Sequence, residues 1–75
     1  MKNNILITVL VNCIDSDIFE NINAKKISYN VYMTNGGLQK IQSYFYGACG
    51  FSMSDVICTK IDPLTHEILS ELNII

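Results

Sequence analysis

Seventy-five residues with a formal charge of −2 provide one domain, residues 1–75, and no room for a second. The cations are five Lys and no Arg, scattered apart from Lys25-Lys26, which counts against nucleic-acid binding; the acidic excess is too small for a DNA mimic. About half of the residues are apolar, twelve of them Ile, a rich supply for a chain that buries only roughly 60–65% of its unfolded surface.

The first predicted element is a strand over Ile5 to Cys13. Its odd positions are all apolar and its even positions are Leu6, Thr8, Leu10 and Asn12, a pattern that suits a central strand covered on both sides. The apolar stretch is too short to span a bilayer and no small-residue cleavage site follows it, so neither membrane association nor secretion is expected. Asp15 to Lys25 is a polar connection around Ile18-Phe19 and Ile22, with a turn of helix or a short extended piece inside it.

A second strand is predicted over Ile27 to Thr34. Its odd positions (Ile27, Tyr29, Val31, Met33) would face the core and its even ones (Ser28, Asn30, Tyr32, Thr34) the solvent. Leu38, Ile41, Phe45 and Ala48 then recur at helical spacing, predicting a helix over 37–49 with Thr34 or Asn35 as N-cap and Gly50 at its C-terminal end. Asp55 to Ile61 is a third, β-branched strand. Asp62-Pro63 starts a second helix, Asp as N-cap and Pro at the first helical position, with Leu64, Ile68, Leu69, Leu72 and Ile75 on one side.

The fold class is therefore α+β, with topology strand–strand–helix–strand–helix. The helix between the second and third strands makes those two parallel, and the apolar first strand belongs between them, antiparallel to both. This gives a three-stranded sheet of order 2-1-3 with two helices on one face, similar to a reduced split-βαβ arrangement. The other face is left open, and Leu6 and Leu10 become candidate interface residues.

No chemistry-bearing constellation emerges. Cys13, Cys49, Cys58 and His66 lack the close ligand pairs of a structural zinc site, so no metal and no cofactor is expected. Three irregularly spaced cysteines predict free thiols in a reducing, cytoplasmic compartment. Cys49, between small residues, would sit at a helix C-terminus, where the dipole opposes thiolate formation. The carboxylate pairs Asp15/Asp17 and Glu67/Glu71 belong to solvated surface, and Thr34-Asn35-Gly36-Gly37 lacks the residues of a phosphate-binding loop. The aromatics carry more signal, because Tyr is enriched at binding hot spots: Tyr32, Tyr44, Tyr46 and Phe51 are candidate partner-binding residues beside Leu6 and Leu10.

The expectation is a non-enzymatic protein-binding module. Small size and a composition rich in Ile, Asn and Lys extend it to a phage or mobile-element inhibitor or regulator of a host protein, such as a defence or toxin enzyme. Two alternatives stand beside it: a structural homo-oligomer, with a dimer as the simplest form, and a small ligand binder or thiol-dependent enzyme using Cys49 and His66.

Overall fold

The structure is a computed structural model that describes residues 4–12 and 14–73. It is an α+β chain whose sheet is antiparallel, but among the described residues four strands and three α-helices replace the three strands and two helices predicted. In chain order these are β1 (Asn4–Val9), α1 (Ser16–Glu20), β2 (Lys25–Ser28), β3 (Val31–Asn35), α2 (Leu38–Ser43), β4 (Val56–Lys60) and α3 (Pro63–Glu71). A π-helical turn, Tyr44–Ala48, continues α2.

The sheet order is β2-β3-β1-β4, with β1 interior and antiparallel to both neighbours. β1 stops at Val9, short of the predicted Cys13, which lies outside the described residues. Ile5, Ile7 and Val9 are buried on one face, joined across the sheet by Cys58 and Val56 of β4. Phe19 from α1, Ile41 from α2 and Phe45 from the π-helical turn close over them. Burying each such side chain fully contributes roughly 1.5–3 kcal/mol, so a short α1 holding one buried aromatic is worth keeping ordered.

The predicted strand over Ile27 to Thr34 is in fact two strands and a turn. Asn30 has φ +59°, in the left-handed region, which an uninterrupted strand does not accommodate but a hairpin turn does. A bulge between Lys26 and Ser28 shifts the register as well. These irregularities invert the expected facing of the side chains. In β3, Thr34 and Tyr32 stand opposite Ile5 and Ile7 and so share the core face. Tyr32 stacks flat on Phe19, ring centroids 3.8 Å apart, whereas Tyr29 rides on the turn and is 78% exposed. The expectation of Tyr29 inside and Tyr32 outside is thereby reversed.

The polar connection before β2 holds a real helix, α1, tied to the sheet where the Thr34 hydroxyl donates to the Ile22 carbonyl at 2.6 Å. Thr34 is thus a buried strand residue and not a helix cap; Gly37 takes the N-cap position of α2. The predicted helix over 37–49 changes pitch at Tyr44, where the Cys49 N–H reaches back five residues to the Tyr44 carbonyl at 2.9 Å. Gly50 follows with φ +75°, the left-handed conformation that ends a helix. Asp62 caps α3 as predicted, its carboxylate accepting from the Thr65 N–H at 2.7 Å, with Pro63 in the first turn.

α3 departs most from expectation. It contributes nothing to the buried cluster or to the half-buried apolar set packed against that cluster. Leu64, Ile68 and Leu72, predicted to face the core, are 48–67% exposed, while His66 and Leu69 are half-buried. Ile75 lies outside the described residues.

Candidate protein-docking surfaces

The aromatic candidates are put to structural use. The π-helical turn widens the helix so that Phe45 enters the core while Tyr44 and Tyr46 leave on either side of it. The Tyr44 hydroxyl donates to the Ile18 carbonyl at 2.7 Å, fastening α1 to the helix behind it. The Tyr46 hydroxyl donates to the Val56 carbonyl at 2.6 Å. Phe51 stands 6.4 Å from Phe45, centroid to centroid, and Tyr32 stacks on Phe19. All four candidates are half-buried, and sequence reasoning had no signal for these long-range contacts.

Tyr46 has a further consequence. The Leu10 N–H donates to the Asp55 carbonyl and the Ile61 N–H to the Asn4 carbonyl. In an antiparallel ladder this turns the backbone of residues 55, 57, 59 and 61 toward β1 and that of 56, 58 and 60 outward. The Val56 carbonyl therefore lies on the free edge of β4, and Tyr46 covers it. At the opposite edge, β2 carries Lys25-Lys26 and the bulge. Both sheet edges are thus equipped against pairing with another strand.

Among the described residues, the large exposed apolar side chains fall into two groups. Leu10, Tyr29 and Met53 form the first, at the end of the sheet where β1 finishes. The Val9 N–H donates to the Asn30 carbonyl and the Leu10 N–H to the Asp55 carbonyl, both at 2.8 Å, so Leu10 lies between the Tyr29 turn and the Met53 turn. The Met53 turn is well fastened: the Asp55 carboxylate accepts from the Ser52 N–H and the Ser52 hydroxyl, each at 3.1 Å. Met53 is 70% exposed on that fixed support. The Lys26 ammonium stands 5.8 Å from the Tyr29 ring centroid, a cation–π distance that places positive charge at the rim of this sheet end.

The second group is the stripe of Leu64 and Ile68 on α3 with Leu72, the residue that caps its C-terminal end. At about 100° per residue, Glu67 and Glu71 fall along one flank of the stripe, and both are exposed. Ile61 extends the β1–β4 ladder to Asn4, so α3 starts at the end of the sheet opposite the Tyr29 turn. Leu6 belongs to neither group: it is half-buried on the sheet face opposite the core, between Met33 and Thr59.

Among the described residues, no hydrogen bond joins Cys49, Cys58 and His66 to one another. Cys58 is buried, and that burial pushes its thiol up from the ordinary range, away from the nucleophilic thiolate. Cys49 follows the π-helical turn, half-buried. Burial likewise raises the Tyr44 and Tyr46 phenols. A shallow cavity of about 240 Å³ between the end of α1 and the start of α2 is bordered by Asn21, Asn23, Asn35 and Lys40, without a thiol, hydroxyl or carboxylate side chain among them. No three His, Cys, Asp or Glu side chains gather as a metal site among the described residues. Nor is any described helix long and apolar enough to cross a membrane. Neither family models, curated proteins nor solved structures yield a match to this chain.

Proposed function

We propose that this chain is a non-enzymatic protein-binding module, working in a reducing, cytoplasmic setting. The observation that carries this reading is the partition of the exposed apolar residues into two compact groups, one at the Leu10, Tyr29 and Met53 end of the sheet and one along α3. Scattered exposed apolar residues are ordinary, but contiguous ones on fixed supports are a feature of docking surfaces. Tyr supplies a large rigid contact at low entropic cost, and Met adapts to an irregular partner surface.

Native mass spectrometry of the tagged chain, recovered gently from the cells that express it, tests the reading. A protein bound at fixed stoichiometry, and lost from folded Tyr29→Asp, Met53→Asp or Ile68→Asp variants, is the expected result. An unaccompanied monomer that behaves identically in all four forms would overturn it.

A further inference from the structure

We infer that the partner of these two surfaces is a second copy of this chain, with the α3 stripe of each copy seated on the Leu10, Tyr29 and Met53 end of the other. This inference rests on the binding-module reading and names its partner. The first argument is charge. The α3 stripe is flanked by Glu67 and Glu71, whereas the sheet end presents Lys26, held beside Tyr29, and the carboxylate of its Met53 turn, Asp55, is turned back onto Ser52. An apolar strip with an acidic border and an apolar patch with a basic border are complementary, and the chain carries both.

The alternatives within a self-assembly are weaker. An antiparallel pairing of α3 with α3 would set Glu67 and Glu71 of one helix along the same flank of the other, a like-charge contact with no Lys or Arg on α3 to relieve it. Strand-to-strand pairing meets Tyr46 at one edge and Lys25-Lys26 with a bulge at the other.

Position and area add to this. The two surfaces start from opposite ends of the sheet, so a two-fold axis that runs the copies antiparallel brings each α3 to the other copy's Tyr29 turn. α3 has nine residues and is about 14 Å long. One such helix covers well under the roughly 800 Å² per partner of a stable interface, and the reciprocal arrangement doubles the contact.

Sedimentation or native mass spectrometry over a dilution series tests the inference on four forms: the natural chain, Lys25→Glu/Lys26→Glu, Glu67→Lys/Glu71→Lys, and the four changes together. All lie on exposed side chains, and far-UV circular dichroism verifies that each form is folded. The natural chain should be dimeric, each charge-reversed pair about tenfold or more weaker, and the combined form should recover most of the loss. A combined form no tighter than either pair would overturn the inference. A monomer still carrying a different protein, released by Tyr29→Asp, would overturn the second copy and leave the binding-module reading standing. A monomer with nothing bound would overturn both.

Discussion

Replacing Tyr46 with Phe removes one oxygen, and its effect separates two jobs that the hydroxyl performs. The ring remains to pack beside Phe45, but the 2.6 Å hydrogen bond to the Val56 carbonyl is lost. Val56 itself is buried, so its carbonyl is left short of a partner at a place where water enters only from the edge side. Losing such a bond costs about 1–1.5 kcal/mol. For a domain of this size that lowers Tm by roughly 4–12 °C. The second job is edge protection, because the freed carbonyl becomes an acceptor for another strand. Tyr44→Phe is the matched control: it also deletes one part-buried phenol bond, at 2.7 Å to Ile18, but to a carbonyl of α1 that no strand edge presents. Thermal unfolding followed by circular dichroism should show both variants destabilised by comparable amounts. Light scattering or thioflavin fluorescence on prolonged incubation below Tm should show faster aggregation for Tyr46→Phe alone. Equal aggregation of the two variants at equal destabilisation would refute the edge-capping argument. A Tyr46→Phe variant as stable as the natural chain would refute the energetic one.

Phe45→Ala, at a fully buried side chain in contact range of Phe19, Tyr44 and Phe51, should cost about 3–5 kcal/mol and bring the domain close to unfolded at room temperature, measured by urea denaturation. Alkaline titration should weaken the fold. Burial raises Cys58 above its ordinary 9.0 and Tyr44 and Tyr46 above 10.0, so their stabilising contribution is complete below about pH 9 and is lost as pH rises through the raised values. Tm should fall above pH 9, with Cys58→Ala delaying the onset; a flat profile would contradict the assignment. Asp62 has the opposite sign. The Thr65 N–H holds its carboxyl below the ordinary 3.8, so the cap stabilises α3 above that pH and is lost as pH falls through the lower folded value. Hydrogen-exchange protection factors of the amides in the first turn of α3, corrected for the intrinsic pH dependence of exchange, should fall in acid, and Asp62→Ala should reproduce that fall at neutral pH.

The fold was legible wherever a single local signal determined the outcome. Uninterrupted apolar alternation marked the first strand and its interior place, and Asp62-Pro63 marked the start of the last helix. Legibility failed where two short elements shared one smooth pattern. The alternation from Ile27 to Thr34 looks continuous because the turn residues Tyr29 and Asn30 preserve it, yet the left-handed Asn30 reverses the chain and moves Tyr32 to the core. It failed again at Tyr44, where the i, i+4 spacing of Ile41 and Phe45 fits an α-helix and gives no warning of the change to π pitch. For the candidate docking surfaces, Leu10 was visible as a surplus apolar residue on a strand. Tyr29 and Met53 were not, because their exposure depends on turns whose partners lie far along the chain.

The apolar pattern of α3 illustrates why periodicity cannot identify what a helix packs against. Leu64, Ile68 and Leu72 recur with the spacing of a core-facing stripe, and an intramolecular core is the usual destination for such a stripe. Here Phe19, Ile41 and Phe45 already cover the buried face of the sheet, and α3 starts only two residues after β4, at the far end from the exposed turns. The stripe is consequently left over after the core has been closed, and it has the acidic flank that a solvent-exposed or docked helix tolerates and a buried one does not. The same sequence pattern that specifies burial thus specifies it without naming the chain in which it occurs. Edge capping by Tyr46 then disfavours association by strand pairing, and among the described residues the large exposed apolar side chains are those at Leu10, Tyr29 and Met53 and along the Leu64, Ile68 and Leu72 stripe.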